Sequence, residues 1–476
     1  MVEEWSSRTG FILAAVGAAV GIGNIWRFSA VLGQNGGGAY LVPYLLAVLF
    51  CGLPLMVLEL AMGRHFHGTV VSAFSAVRPG FRVIGWFLFG VNLLVLSYYL
   101  VITGWTLGYV LISLTGNAVE FSAFIRGWFP VIAFAASTGI TGLVVSRGVR
   151  AGIERVSELA IPVSLGVLGL LALYGASLPG FNEGISFLFR PDFSVLGDPL
   201  LWSAAFGQAF FSLSVGTGIM LTYGAYAGRG QGIPLSSLVI TLADVGVALL
   251  VGIVIFPIVF TLSLAPTVGA ELAFSTLPVA FSLLPAGWAI GPAFFLVLFI
   301  SALTSSVSML EVGVAVVREA AGWSRARSAI ALTISLLALG LPSALSYSAA
   351  ELRVDGIRFL DLLDETVGTL GLPVTALLLA VVFTWFLPPG RLAQEIGPGA
   401  TRLIHPLCRF FIPLVLVITT ATRLVSGLDV PSLRSLPETE FIGVLFQVEG
   451  TAGLLLALLV LILAAVWFKQ RSKRRQ

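Results

Sequence analysis

Of 476 residues, 58% are hydrophobic and 10% are charged, whereas a soluble chain carries about 25% charge; the composition excludes a soluble fold and requires a polytopic membrane protein. The net charge of +3 is small and implies no nucleic-acid partner. Cys51 and Cys408 both lie in apolar stretches, which argues against a disulfide framework.

Cut into spans of roughly 20 apolar residues, the chain yields about twelve helices, starting near residues 10, 40, 84, 128, 153, 200, 234, 288, 326, 358, 403 and 446. The even count puts both ends on one side. Arg64, Arg78, Arg82, Arg147, Arg150, Arg229, Arg318, Arg325, Arg327, Arg391, Arg402 and a basic tail from Lys469 fall in alternate connections, while acids such as Glu183, Asp198, Glu271 and Asp355 gather in the others. The positive-inside bias therefore places both termini in the cytoplasm of an inner (plasma) membrane protein. The first apolar stretch follows Glu3 and Glu4, lacks a basic lead and contains asparagine and arginine, so it reads as a retained span and not a signal peptide. His65, His67 and His405 fall at cytoplasmic helix ends, and no metal-ligand cluster of histidine, cysteine and acids is evident.

In chain order, the first informative element is the glycine run Gly17 to Asn24, in the middle of the first span. An unpaired backbone group in lipid costs several kcal/mol, so a helix breaks at mid-depth only where protein or a polar cavity receives the freed groups. Asn24 and the carbonyls of Gly17, Ala19 and Val20 are hard oxygen donors suited to a small cation. Glu59 lies deep in the second span, and a structural, hydrogen-bonded role is the first reading for it. A second run, Ser212 to Gly218, breaks the sixth span and adds the hydroxyls of Ser212 and Ser214. Asp244 lies about ten residues into the seventh span; uncompensated it costs roughly 2.5 to 3.5 kcal/mol, and a bound cation or a structural hydrogen bond must offset that.

The connection at 263–287 holds a short apolar stretch, Phe274 to Phe281, read as a re-entrant or lid-like helix pair. In the eighth span Ser301, Thr304, Ser305 and Ser308 recur at i, i+3, i+4 and i+7, on one helical face. The stripe is either interhelical glue or the wall of a polar site, and the two broken spans favour the wall. Breaks five spans apart read as an inverted pair of repeats: about 8–176 and about 200–388, with accessory helices at about 401–470, in one membrane domain.

These residues resemble a known family, the neurotransmitter:sodium symporters, and within it the prokaryotic amino-acid transporters of the leucine-transporter type. The likeness covers essentially the whole chain, through the runs Trp5 to Ala14, Gly21 to Phe28, Gln34 to Tyr40, Pro54 to Arg64, Tyr98-Tyr99, Gly207 to Ser214 and Leu303 to Ser306. It implies an all-α fold of about twelve helices, a 5+5 inverted repeat with unwound first and sixth helices, and sodium-coupled import of a small neutral or hydrophobic amino acid by alternating access. No organic cofactor and no enzymatic activity are implied.

Carried over by position, the resemblance implies two sodium sites. The first comprises Ala19, Asn24, Ser212, Asp244 and the substrate carboxylate; the second comprises Gly17, Val20, Ser301, Thr304 and Ser305. Tyr99 and the N–H groups of Ile22 and Gly23 would hold the carboxylate, while Ala19, Phe211, Ser212 and Ser214 would meet the amine. Val95, Phe211, Thr217, Ser305 and Met309 would select the side chain. Gly21 stands where monoamine transporters of the family carry an aspartate, which favours a substrate with its own carboxylate. Chloride-dependent animal members have asparagine at the position of Asp244 and serine at that of Ala248, so transport is expected to be chloride-independent. Arg27 and Asp361 match the outer gate, and Tyr226 and Glu319 the inner one. The inner gate's arginine is replaced by Val2, so another basic residue closes that gate or the gate is looser. The rival reading is an uncoupled channel or amino-acid sensor on the same scaffold.

Overall fold

The computed structural model describes residues 3–116, 119–190, 193–264 and 273–425. Val2, the twelfth span expected near residue 446 and the basic tail lie outside the described residues. Among those described, nine helices are long and apolar enough to cross a membrane. They are span 2 (Gly38–Phe66), span 3 (Pro79–Ser113), span 4 (Phe129–Ser146), span 5 (Val149–Ala176), span 7 (Ile233–Thr261), span 8 (Gly287–Ala321), span 9 (Arg325–Ser346), span 10 (Phe359–Trp385) and span 11 (Pro389–Ala421).

Span 1 is a bent pair, Arg8–Ala19 and Gly23–Gln34, meeting at 54°. The Ser7 hydroxyl accepts the Gly10 N–H at its start, satisfying one of the donors a helix N-terminus leaves free. Span 6 is split into Pro199–Ser212 and Ile219–Ala225. Asp198 caps its first half by accepting the Leu200 N–H at 2.9 Å, and Pro199 sits at the first helical position, where no N–H is needed. Between the halves Ser214, Gly216 and Gly218 have φ of 52°, 85° and 82°, a left-handed turn that a continuing helix cannot contain.

Span 3 lies along span 8 in the most extensive helix contact among the described residues. Of the nine unbroken spans among the described residues, spans 5 and 11 are the least enclosed, with 28% of their apolar windows buried. Where span 2 crosses the second half of span 6, Ile219–Ala225, glycine faces backbone on both sides. A Cβ at Gly63 would collide with the Leu221 carbonyl, and one at Gly224 with the Leu60 carbonyl, so the two helices pack backbone to backbone.

Of the expected re-entrant pair, the described residues contain one helix, Thr276–Leu283. Its Phe281 ring packs 5.3 Å from Phe294. Just before it, Phe274 meets Trp26 at 5.7 Å, Trp105 at 5.9 Å and Tyr109 at 5.4 Å, which seats this connection on spans 1 and 3.

Candidate functional site

Both breaks deliver polar atoms to one buried spot. Asn24, in the π-helical turn Gly23–Arg27 that restarts span 1, lies 2.8 Å from the Ser212 hydroxyl and 2.6 Å from Asp244 Oδ1. The Ser212 hydroxyl donates to Asp244 Oδ2 at 2.8 Å. Asn24 and Asp244 are fully buried and Ser212 nearly so. A carboxylate with two neutral oxygen-bearing partners is a donor set a hard cation can use. The break of span 1 is pinned as well: the Asn24 side-chain oxygen accepts the Gly21 N–H at 3.0 Å, and Gln208 donates to the Gly23 carbonyl at 2.9 Å.

The hydroxyl stripe of span 8 divides by function along its length. Ser305 donates to the carbonyls of Gly17 and Ala18 at 3.3 Å each. Thr304 donates to the Ser301 carbonyl at 3.1 Å, and its Cβ is 3.1 Å from where a Cβ on Gly17 would stand. Val20, at the end of the first half-helix, has ψ of 94°, which turns its carbonyl out of the helical pattern. Ser308 instead accepts from the Tyr223 hydroxyl at 2.7 Å, so that position is glue between spans 8 and 6.

Between the breaks lies a cavity of about 40 Å³. Ala19, Gly23, Asn24, Val95, Tyr99, Phe211, Ser212, Ser214, Thr217, Ser305 and Met309 line it, each at a position expected from the sequence. Ile22 is not on the wall, but its N–H donates to the Tyr99 hydroxyl at 3.2 Å. Sequence reasoning missed Phe210, Val215, Ile219 and Leu372, which complete the apolar side; an apolar residue in an apolar span carries no signal of which way it faces. Thr217 donates its hydroxyl to the Ser214 carbonyl at 2.7 Å. A Cβ on Gly21 would stand 2.7 Å from Ser305 Oγ and 2.9 Å from Tyr99 Oη.

Two gate assignments need correction. Arg27 does not pair with Asp361: its guanidinium lies 4.6 Å above the Phe211 ring, and Asp361 accepts from the Tyr347 hydroxyl at 2.8 Å. Burial, and then the charge of Asp361, raise the Tyr347 hydroxyl far above the usual phenol range, keeping it a donor that holds this carboxylate toward span 9. Asp364 and Glu365, one turn on, share with Arg27 the surroundings of Tyr98.

Nor does Glu319 meet Tyr226. It accepts from Ser72 Oγ at 3.2 Å and the Thr69 N–H at 3.4 Å, while the Tyr226 hydroxyl donates to Glu311 at 2.7 Å. Eight residues of helix separate the two acids by about 12 Å, so one tyrosine cannot reach both.

The model of the sodium:neurotransmitter symporter family matches residues 2–121 and 128–472. The chain is 35% identical to the uncharacterized sodium-dependent transporter YhdH of Bacillus subtilis, over 87% of this chain and 96% of that one. It is 32% identical to an uncharacterized sodium-dependent transporter of Methanocaldococcus jannaschii, over 83% and 84% of the two chains. The crystal structure of MhsT in complex with L-phenylalanine superposes with a TM-score of 0.81 at 37% identity, covering 88% of this chain and 99% of that one. The protein belongs to the sodium:neurotransmitter symporter family and has its all-α fold of the leucine-transporter type; it is a transporter and not an enzyme.

Proposed function

We propose that this transporter imports a small neutral or hydrophobic amino acid together with two sodium ions, without chloride, by alternating access. The observation that carries the reading is the buried meeting of Asn24, Ser212 and Asp244 at both broken helices, beside the cavity under Tyr99 and Phe211. Sodium one takes Ala19, Asn24, Ser212 and Asp244, with the substrate carboxylate completing its shell. Sodium two takes Gly17, Val20, Ser301, Thr304 and Ser305. The carboxylate rests on Tyr99 and the N–H groups at the start of the second half-helix of span 1, where the helix dipole favours an anion. The apolar wall of Val95, Ile219, Met309 and Leu372 suits an apolar side chain, and phenylalanine in the MhsT complex supports an amino acid.

Because substrate and sodium share a shell, each raises the other's affinity by the same factor. The inverted repeats at about 8–176 and about 200–388 frame the midplane site, about which a group of helices drawn from both repeats rocks against the rest. A tenfold sodium gradient is worth about 1.4 kcal/mol and 100 mV about 2.3 per charge, so two ions supply roughly 7 kcal/mol. The arginine pattern supports an inner (plasma) membrane protein with both termini cytoplasmic.

A thermal-shift screen of the common amino acids, with and without sodium, identifies the ligand, and uptake in proteoliposomes then tests coupling. Accumulation that requires a sodium gradient and collapses with a sodium ionophore is the expected result. Saturable binding without accumulation would replace this reading with that of an uncoupled sensor.

A further inference from the structure

The N-terminal segment lies across the cytoplasmic ends of spans 6, 8 and 9 as a strap. Trp5 ties it to span 6, donating its ring N–H to the Tyr223 carbonyl at 3.0 Å and its backbone N–H to the Tyr226 carbonyl at 3.3 Å. Two residues earlier, Glu3 accepts from Arg318 at 3.0 Å and from Arg325 at 3.1 Å. Arg325 is also doubly bonded to Glu311, the acid that holds Tyr226, and its Nε donates to the Val145 carbonyl at 2.8 Å.

We propose that Arg325 is the pivot of the cytoplasmic gate, a guanidinium fixed on the body of the transporter that binds Glu3 when the inner path is shut and keeps Glu311 when the strap departs. The inference rests on the transport reading given above. Burial assigns the roles. Glu311 is 0% exposed, Arg325 11% and Glu3 25%. When the strap leaves, the most exposed of the three charges returns to water, and Arg325 still has the Glu311 carboxylate and the Val145 carbonyl. No buried charge is stranded. With the cation on the strap, opening would leave Glu311 buried and unpaired, a strongly unfavourable state. The charges of this gate are therefore reversed along the chain, acid on the strap and base on the body, which is consistent with Val2 standing where relatives carry a basic residue. Arg318, at the end of span 8, is the second anchor for the same carboxylate.

The test is hydrogen–deuterium exchange of the strap and of residues 219–226, on the full chain in nanodiscs, with and without sodium, alongside uptake in proteoliposomes. Import loads sodium from outside, so sodium should slow strap exchange in the wild type. Glu3→Gln, whose neutral amide oxygen still accepts from the two arginines but without charge assistance, should speed it roughly tenfold and should abolish the sodium response. Glu3→Asp should restore both, and Arg318→Ala should fall between. Arg325→Ala is not the deciding variant, because it strands Glu311. Unchanged exchange in Glu3→Gln overturns the proposal, and so does an equal acceleration with and without sodium that leaves the sodium response intact, since that marks a merely structural tie. A wild type that accumulates nothing and whose strap ignores sodium overturns the symport reading; the contrast between Glu3→Gln and Glu3→Asp then still decides whether the strap is held by this pair.

Discussion

Asp244 is fully buried, with Asn24 and Ser212 as its polar partners, and Ala248 one turn later is also fully buried and offers no hydroxyl to an anion. Two sodium charges would then be balanced by Asp244 and the substrate carboxylate alone. Replacing chloride by gluconate should leave wild-type uptake unchanged. Asp244→Asn removes a buried charge from its ion, which costs about 2 kcal/mol or more, so sodium-dependent binding should weaken roughly thirtyfold. Asp244→Asn with Ala248→Ser should recover part of it only when chloride is present. Gly21 gives a second prediction. Its missing side chain is what lets Tyr99 and Ser305 approach the break, so Gly21→Ala should weaken substrate binding about tenfold or more while circular dichroism and the melting temperature of the ligand-free protein stay near wild type. The sequence made these site residues legible because polar groups in apolar spans stand out. It did not make the gate acids legible. Asp361 and Asp364, like Glu311 and Glu319, share a helix and a residue type or nearly so, and only the partners across the bundle, Tyr347 and Tyr226, decide which acid does what.

At the scale of the elements, both breaks were readable because glycine with serine at mid-span has few other uses in lipid. The strain at the second break depends on span 2. The Glu59 carboxylate accepts the Gly216 N–H at 2.5 Å, taking a donor that the left-handed turn has removed from the helix. Glu59→Leu, of similar shape, would leave that N–H buried without its acceptor, at a cost of about 1 to 3 kcal/mol. The variant should melt several degrees lower and bind substrate poorly, as thermal unfolding and equilibrium binding would show. The hydroxyl stripe illustrates the limit of pattern reading. Its periodicity placed four hydroxyls on one face, yet Ser305 bonds the first break, Thr304 packs beside Gly17 with its hydroxyl turned to its own helix, and Ser308 serves Tyr223. Periodicity gives the face, and the neighbour along that face changes from one turn to the next. Arg325 was hidden for a related reason: as the first residue of span 9 it reads as one more basic charge of a cytoplasmic loop.

For the whole molecule, coupling of two ions to one substrate predicts a steep sodium dependence. Thr304→Val with Ser305→Ala removes two donors of the proposed second site and leaves Asp244 untouched. The sodium activation curve of binding should lose its sigmoid form and approach a single-site hyperbola, while unchanged steepness would move the second ion elsewhere. Such a cycle also needs to know which parts travel together. The glycines at 63 and 224 set span 2 and the second half of span 6 backbone against backbone, with no side chain between them at those two positions. The two should travel as a single lever arm, with Glu59 and Gly216 riveted near its fulcrum and Trp5 resting on its Tyr223–Tyr226 end. A crosslink placed across that seam should therefore be silent in transport, whereas one joining the same end to span 8 should stop it.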